Sequence, residues 1–228
     1  MQSKKNIPRL DDGGQDLVII GAGGHAVSVA SVAISTGFKI RCFIDKNKYN
    51  TELLKIEVIN DLTFLENINT FSFSIAVGDN YLRQKIYEEM TNKYGELKYP
   101  AIVHSSAVLS KNSEIKSGVV IMPNAVVGPN TIVEKFCILN TQSALDHDCS
   151  IGKFSSMAPA AITGGSVKIG SRTAISMGAR IKQSVQVGDD TVLGANSFLN
   201  RNIGNNILAY GTPARVIRRR ESDEPYLD

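Results

Sequence analysis

The stretch that decides the fold lies at residues 139–169 and reads LNTQSALDHDCSIGKFSSMAPAAITGGSVKI. A large aliphatic residue or Met returns at every sixth position, and Thr163 is the one departure. A small or β-branched residue stands four places after each of them. An amphipathic helix would need apolar residues about every 3.6 positions, and a half-buried strand about every 2. This stretch therefore predicts neither structure.

The six-residue step continues on both sides, from Val103 to Leu199. Of the 17 positions along it, 16 are aliphatic or Met. Fixed short periods of this kind are typical of repeat architectures. Glycine, Asn and Asp recur near the ends of the steps, where tight corners need unusual φ angles. We therefore predict short strands joined by corners and stacked around a prism whose interior is aliphatic.

The composition supports an interior without aromatic rings. Hydrophobic residues make up 43% of the 228 residues, but aromatic residues only 7%, and Trp is absent. Of the 15 Phe and Tyr residues, only Phe136, Phe154 and Phe198 fall within the repeats. Stacked coils have little room for rings, so we interpret the low aromatic content as a requirement of the prism.

Charge and cysteine content exclude several classes of protein. The 25 Lys and Arg against 22 Asp and Glu give a net charge of +3, too small for a general nucleic-acid binder. Cys42, Cys137 and Cys149 have no spacing of a zinc site or a disulfide framework, so we expect no metal and a reducing compartment. The first 14 residues are polar, and no run of about 18 apolar residues occurs. We therefore expect a cytoplasmic protein without a membrane span.

Residues 16–100 follow a different pattern, which predicts a small Rossmann-like α/β domain. The continuous apolar run Leu17–Ile20 is typical of a parallel strand buried on both faces. A glycine loop and a helix follow it, and then a second strand at Lys39–Ile44. A later strand at Phe71–Val77 ends in the turn Gly78-Asp79-Asn80 and precedes a second helix.

The loop after the first strand, Gly21-Ala22-Gly23-Gly24-His25-Ala26, matches G-x-G-x-x-A, and Asp45 stands 19 positions beyond Ala26. This pattern is that of dinucleotide-binding loops, so an NAD-dependent oxidoreductase is one hypothesis. A domain of this size, about half of a full dinucleotide fold, favours a single nucleotide with its phosphate at the helix N-terminus. In a third interpretation the glycines only form a tight turn.

Open parallel sheets bind ligands at the carboxyl ends of their strands, and several residues fall there. We expect the following residues to contact a nucleotide-containing substrate: Gly23, Gly24, His25, Asp45, Lys46, Gly78, Asn80 and Arg83. For Asn80, ordinary capping of the following helix is an alternative.

A general base must be sought among only three histidines, His25, His104 and His147. His147 stands two positions after the inward-facing Leu145, where side chains project from the prism, and aspartates flank it on both sides. A carboxylate bonded to one ring nitrogen fixes the tautomer and raises the basicity of the other nitrogen. Such a base removes the proton of an amine or hydroxyl that attacks a thioester. The alternative is a solvated surface histidine, and we expect His104 to be structural.

A small Rossmann-like domain followed by six-residue repeats resembles the hexapeptide-repeat sugar acetyltransferases, which include bacillosamine- and perosamine-type N-acetyltransferases and sialic acid O-acetyltransferases. The resemblance covers about residues 16–216, and its signatures are Ile20-Gly21-Ala22-Gly23-Gly24-His25, Phe43-Ile44-Asp45, Val77-Gly78-Asp79-Asn80 with Arg83, and Leu145-Asp146-His147-Asp148-Cys149. It implies an α/β Rossmann-like domain plus an all-β left-handed parallel β-helix with three hexads per coil. It also implies a homotrimer that binds acetyl-CoA between neighbouring subunits.

The resemblance also implies roles for single positions. His147 would be the general base, and Asp148 would support it. Acetyl-CoA would contact Ser156, Gly165, Met177 and Ala195. Ser156 is a departure, because the bacillosamine-type enzymes carry a second His there, near the acetyl carbonyl. A hydroxyl can still donate a hydrogen bond, so activity is compatible with this change.

These observations divide the chain into four parts. They are a polar tail at 1–15, a Rossmann-like nucleotide-sugar-binding domain at 16–100, a left-handed β-helix acetyltransferase domain at 101–216 and a C-terminal tail at 217–228. An arginine cluster near the last boundary could meet CoA phosphates or could lie in solvent, and it consists of Arg215, Arg218, Arg219 and Arg220.

The leading hypothesis is an acetyl-CoA-dependent N-acetyltransferase that acts on the amine of a nucleotide-linked 4-amino-dideoxy sugar for surface glycan biosynthesis. The first alternative is O-acetylation of sialic acid or a related sugar by the same base. The second alternative, from another class, is a non-catalytic trimeric scaffold that binds a nucleotide. Nothing in the sequence separates an amine acceptor from a hydroxyl acceptor.

Overall fold

The computed structural model describes residues 15–65 and 67–227. The predicted polar tail at 1–15 lies outside these residues, except for Gln15. The N-terminal elements are β1 (Asp16–Ile20), α1 (Gly24–Ser35), β2 (Lys39–Ile44), β3 (Thr51–Leu53), β4 (Ile56–Ile59), two short 3-10 turns (Leu62–Phe64 and Ile68–Thr70), β5 (Ser72–Ile75) and α2 (Asn80–Tyr94).

The N-terminal sheet has the strand order β3-β4-β2-β1-β5. Its strands are parallel except for β3, which forms an antiparallel edge with β4. Leu17, Val18 and Ile19 in β1 are fully buried, as the continuous apolar run predicts. The β3–β4 hairpin was not predicted, because its strands are short and partly exposed. Neither helix among the described residues is long and apolar enough to cross a lipid bilayer.

The following part of the chain forms 17 two-residue strands at six-residue intervals, which alternate among three parallel sheets. They are β6 (Ile102–Val103), β7 (Val108–Leu109), β8 (Glu114–Ile115), β9 (Val120–Ile121), β10 (Val126–Val127), β11 (Ile132–Val133), β12 (Ile138–Leu139), β13 (Ala144–Leu145), β14 (Ser150–Ile151), β15 (Ser156–Met157), β16 (Ile162–Thr163), β17 (Lys168–Ile169), β18 (Ala174–Ile175), β19 (Arg180–Ile181), β20 (Gln186–Val187), β21 (Val192–Leu193) and β22 (Phe198–Leu199). The second residue of every strand is one that the six-residue step marked. The predicted fold class, an α/β Rossmann-like domain plus a left-handed parallel β-helix, is confirmed.

Each sheet of the β-helix forms one face of a prism. The docking face consists of β6, β9, β12, β15, β18 and β21; the apolar face of β7, β10, β13, β16, β19 and β22; and the polar face of β8, β11, β14, β17 and β20. A hairpin of β23 (Ile207–Gly211) and β24 (Ala214–Arg219) extends the docking face, and a cis peptide bond joins Thr212 to Pro213 between them.

The interior of the prism is a stack of aliphatic and small side chains. Its hydroxyl groups bond to the backbone of adjacent coils. Thr173 is an example, because its Oγ1 donates to Gly188 O at 2.6 Å and accepts from Thr191 N at 3.2 Å. The interior cluster contains no Phe or Tyr among the described residues, which confirms the interpretation of the low aromatic content.

The corners of the prism repeatedly place a residue at positive φ, and these residues form columns along the prism. The docking corner, between the polar and docking faces, consists of Gly118, Phe136, Phe154, Arg172 and Asp190. The histidine corner, between the apolar and polar faces, contains Asn130, Asp148, Ser166 and Ser184. For a residue with a side chain, this left-handed conformation costs about 1–2 kcal/mol.

The N-terminal domain packs on the docking corner and offsets this cost. Phe136 and Phe154 are 2% and 6% exposed, and their rings stack in parallel with centroids 5.1 Å apart. Tyr87 from α2 packs against both rings. Burial of a large side chain stabilises a protein by about 1.5–3 kcal/mol, so contact with α2 outweighs the backbone cost of each Phe.

Candidate active site

His147 lies at the histidine corner, in the turn between β13 and β14. Its side chain is half exposed, and its Nδ1 lies 2.7 Å from Asp148 Oδ2. The other oxygen of Asp148 accepts a hydrogen bond from Asn130 Nδ2 at 3.0 Å. Asp146 Oδ1 accepts a hydrogen bond from the backbone N–H of His147 at 2.8 Å. One aspartate therefore orients the ring, and the other fixes the turn.

The contact between His147 and Asp148 changes the protonation of both groups. The hydrogen bond to Asp148 raises the pKa of His147 above its usual 6.5. Hydrogen bonds from His147 and Asn130 lower the pKa of Asp148. With Nδ1–H donating to this carboxylate, the neutral ring has Nε2 as its free basic nitrogen. The pair thus has the arrangement of a general base with a fixed tautomer.

Gly165, one coil further along the prism, lies against the ring of His147. A Cβ at this position would come within 2.4 Å of both Cε1 and Nε2 of His147. Any side chain at position 165 would displace the imidazole ring, so only glycine is compatible with this ring position. The ring therefore fills the space that a side chain at this position would take, and its Nε2 lies against the backbone of Gly165.

The glycine loop before α1 contains glycines of two kinds. Gly21 has a φ of +110°, and a Cβ there would lie 2.9 Å from Ala76 O, so the fold itself requires this glycine. At Gly23 and Gly24 a Cβ would meet no atom within 4 Å. The fold does not require glycine at these two positions, and the space above them at the start of α1 is open to a ligand.

Asp45 fastens the glycine loop to the end of β2. Its Oδ2 accepts a hydrogen bond from Ala22 N at 3.0 Å, and its Oδ1 accepts one from Asn47 N at 2.9 Å. Lys46 is largely exposed, and its Nζ lies 3.7 Å from Oε2 of Glu89 in α2. The two residues are thus adjacent at the predicted ligand-binding edge.

Three polar atoms near this edge are buried without a hydrogen-bond partner among the described residues: His25 Nε2, Asn60 Oδ1 and Asn80 Nδ2. Burial, and then the charge of Arg83, lowers the pKa of His25 to about 4, so its ring is neutral at pH 7. Buried polar groups are almost always hydrogen-bonded in folded proteins. Of the three residues, only Asn60 lines the cavity that opens at this edge.

A cavity of about 390 Å³ opens at the carboxyl ends of the N-terminal strands, a volume typical of small-molecule sites. Asp45 and Lys46 line it together with apolar side chains of α2. A polar cluster of Asp61, Lys93 and Tyr94 also lines the cavity, and the sequence did not predict it. In this cluster Asp61 accepts hydrogen bonds from Lys93 at 2.6 Å and from Tyr94 at 2.5 Å. Only the docking of α2 on the sheet brings these three together, so no spacing in the sequence indicates the cluster.

The position of Arg83 is a correction to the predicted substrate contacts. Its side chain is 1% exposed. Its five N–H groups donate to Phe136 O, Val77 O, Gly78 O, Asn80 Oδ1 and Phe154 O at distances of 2.7–2.9 Å. No donor remains for a ligand. Arg83 instead joins α2 to the docking corner and holds the side chain of Asn80.

The positions predicted to bind acetyl-CoA lie on different parts of one chain. Gly165 is beside His147, whereas Ser156 is in β15 on the docking face. Met177 and Ala195 are exposed on successive coils, at the corner between the docking and apolar faces. The apolar face therefore separates this pair from His147 within one chain.

Both domains are similar to known proteins. A family model of the PglD N-terminal domain matches residues 16–90. A mutant of perosamine N-acetyltransferase from Caulobacter crescentus, in complex with CoA and GDP-perosamine, has 30% sequence identity and a TM-score of 0.84, and the match covers 90% of this chain and 97% of that one. The acetyltransferase domain of PglB from Neisseria gonorrhoeae FA1090, in complex with acetyl coenzyme A, has 30% identity and a TM-score of 0.83, with coverage of 90% and 100%.

WeeI from Acinetobacter baumannii AYE shares the fold at 21% identity and a TM-score of 0.71, with coverage of 89% of this chain and 100% of that one. The similarity to the Caulobacter and Neisseria proteins extends over nearly the whole length of each. It confirms the family resemblance that the sequence indicated. The chain belongs to the hexapeptide-repeat sugar acetyltransferases, and it is an acyltransferase.

Proposed function

We propose that this protein is a homotrimeric acetyltransferase that transfers the acetyl group of acetyl-CoA to the amine of a nucleotide-linked 4-amino sugar in surface glycan biosynthesis. The observation that carries the proposal is the pair of His147 and Asp148, with Nε2 of His147 beside the bare backbone of Gly165. The Caulobacter relative, a perosamine N-acetyltransferase in complex with CoA and GDP-perosamine, supports an amine acceptor.

The N-terminal cavity supports binding of the nucleotide end of the substrate. The open space above Gly23 and Gly24 allows close approach of a phosphate to the start of α1. Within the cavity, Asn60 has a side-chain oxygen without a hydrogen-bond partner, and Asp45 and Lys46 add charged groups for polar parts of the substrate. An NAD-dependent oxidoreductase has no comparable support in the family to which the chain belongs.

The apolar face supports assembly into a trimer. Its outward residues include four large apolar side chains that are 37–51% exposed: Val108, Val126 and Ile162 form one stretch with Ala144, and the exposed Arg180 separates them from Phe198. Contiguous exposed apolar surface is typical of protein–protein interfaces. When this face packs against a neighbour, the histidine corner of one subunit approaches the corner with Met177 and Ala195 of the next. The residues that the resemblance assigns to acetyl-CoA would then line one groove.

The exposed, small side chain of Ala195 fits a narrow pantetheine arm. When bound, acetyl-CoA supplies the acetyl group as a thioester. His147 Nε2 accepts a proton from the attacking amine as the N–C bond forms, and Asp148 stabilises the resulting imidazolium. His147 then gives this proton to the sulfur as the C–S bond breaks. The products are the N-acetyl sugar and the free thiol of CoA.

Release of free thiol from acetyl-CoA in the presence of UDP-, dTDP- and GDP-linked 4-amino sugars tests this proposal. We expect His147→Ala to lower kcat/KM about 10²–10⁴-fold, because a general base contributes an effect of that size. The matched control is His104→Ala, since Nδ1 of His104 forms hydrogen bonds with Ser106 in its own turn and not with Asp148. Full activity of the His147 variant would refute the mechanism.

The same assay separates the alternative functions. Transfer to CMP-sialic acid and not to any amino sugar would favour O-acetylation. Absence of thiol release with every acceptor, together with no thermal shift in acetyl-CoA, would favour a non-catalytic scaffold.

A further inference from the structure

The C-terminal segment, residues 221–227, returns from β24 to the N-terminal domain. Arg220 at its start is 6% exposed, and its Nη1 donates to Asp190 O at 2.9 Å on the docking corner. Its Nη2 donates to Glu224 O, and Arg218 forms an ion pair with the Glu224 side chain. Of the four arginines that the sequence suggested as contacts for CoA phosphates, Arg218 and Arg220 therefore hold this segment in place.

Tyr226 in this segment joins three parts of the molecule through one oxygen. Its hydroxyl donates to Gly78 O at 3.3 Å and accepts from Asn80 N at 3.1 Å, at the start of α2. Ser156, on the docking face, is close enough to this hydroxyl to lower the pKa of the phenol. The phenol therefore bridges the loop after β5 and the β-helix.

Leu227 adds an apolar contact between the C-terminal segment and the loop after β5. A Cβ at Gly78 would lie 3.1 Å from Leu227 Cδ1, so the segment packs directly on the glycine. Gly78 and Asn80 were predicted to bind the nucleotide, and Asn80 Nδ2 is buried there without a partner. Asn80 is 1% exposed, whereas Val77, the neighbour of Gly78, lines the N-terminal cavity, so the segment reaches the wall of that cavity through this loop.

We infer that the C-terminal segment is part of the acceptor site and that Tyr226 is a positioning residue, which holds the Gly78–Asn80 loop in its ligand-binding conformation. This inference rests on the proposed function, because it takes the loop to bind the nucleotide-linked substrate. Tyr226 acts through the loop and not on the reacting atoms.

The hydroxyl of Tyr226 suits this role because it is both donor and acceptor. Burial raises the pKa of the phenol, so it keeps its proton at neutral pH. A loop without this bridge would need to be ordered by the ligand itself, and the ligand would lose affinity as a result. Ser156 accordingly has a neighbour from the same chain at the position where the resemblance places an acetyl-CoA contact.

The test compares Tyr226→Phe and a chain ending at Ser222 with two controls, in the otherwise intact protein. Tyr49→Phe removes a hydroxyl from an exposed tyrosine, and Asp223→Ala changes an exposed residue of the segment itself. Calorimetry with UDP and GDP as probes measures nucleotide affinity without any need for acetyl transfer. Hydrogen exchange of the Asn80 amide measures whether the loop is held.

We expect the Kd of the nucleotide that binds to rise about tenfold in Tyr226→Phe, the usual effect of one lost hydrogen bond, and further in the shortened chain. The KM for the nucleotide sugar should rise equally, with kcat within about twofold. The Asn80 amide should exchange faster in both variants and remain unchanged in both controls.

Unchanged nucleotide affinity in the Tyr226 variant would overturn the inference, even if the melting temperature falls. That result is expected if the segment stabilises the fold but has no role in nucleotide binding. Unchanged exchange at Asn80 would overturn it as well. A protein that binds nucleotide through this segment but transfers no acetyl group would instead count against the proposed function. The two failures are therefore distinguishable.

Discussion

The docking corner and the histidine corner have the same backbone and opposite uses. Phe136 and Asp148 both have a φ between 57° and 59°, each at the turn between two strands of the prism. Phe136 is 2% exposed beneath the N-terminal domain, whereas the side chain of Asp148 is half exposed beside His147. The left-handed turn is thus a fixed part of the β-helix, and the side chain on it decides whether a corner is buried under a domain or stays exposed.

The difference has an energetic reason. Asp and Asn tolerate the left-handed conformation better than other residues with side chains, so Asp148 needs no tertiary contact to occupy it. A Phe there is a genuine outlier, and it is stable only when burial offsets the strain. Aromatic residues at such turns therefore indicate a covered corner, whereas acidic residues occur at both kinds, since Asp148 is half exposed and Asp190 of the docking corner is 5% exposed.

The largest expected effect comes from breaking the docking corner at Arg83. We expect Arg83→Met to lower the free energy of unfolding by about 3–5 kcal/mol, because four backbone carbonyls and Asn80 Oδ1 lose a buried donor. Urea denaturation measures this change.

Arg41→Met is the matched control, since Arg41 is an exposed residue of β2. It should change stability by no more than about 0.5 kcal/mol. Equal effects of the two substitutions would show that contact between α2 and the docking corner contributes little to stability.

The next effect concerns the histidine corner. We expect Gly165→Ala to lower kcat/KM about a hundredfold, because the new methyl group must displace the ring of His147, and a shift of about 1 Å has an effect of this size. The melting temperature should change little, since the ring can move into solvent. Steady-state kinetics and a melting curve measure both quantities.

Ser184→Ala, in the same column of corner residues, is the control and should retain full activity. An active Gly165 variant would mean that the position of the ring is unimportant, and the proposed base would lose its main support.

The smallest effect is a change in pH dependence. His147 must be neutral to accept a proton, so activity falls as pH drops through its pKa. Because the hydrogen bond to Asp148 raises that pKa above 6.5, Asp148→Asn should lower it and move the acidic limb of the kcat/KM profile to lower pH. Asp146→Asn should cause a smaller shift in the same direction, since the charge of Asp146 is a lesser cause. A shift of the Asp148 variant to higher pH would contradict this assignment.

The sequence predicted the β-helix more completely than the site. The six-residue step marked the inward residue of every two-residue strand from Val103 to Leu199, because an interior that repeats in space must repeat in the chain. The place of His147 beside Asp148 was equally predictable, since neighbours in one turn are neighbours in space. The cluster of Asp61, Lys93 and Tyr94 was not, because α2 brings distant parts of the chain together.

Local chemistry was determined by the sequence alone: the repeat, the aliphatic interior, the glycine loop and the histidine between two aspartates. Tertiary structure decided what each residue was free to do. Arg83 follows a strand end like a ligand-binding residue, yet its five donors are used by carbonyls of both domains. Tyr226 lies near the end of a polar tail, yet it reaches Asn80. Hydrogen-bond donors and acceptors are claimed by proximity in space, which spacing along the chain does not reveal when the partners belong to different domains.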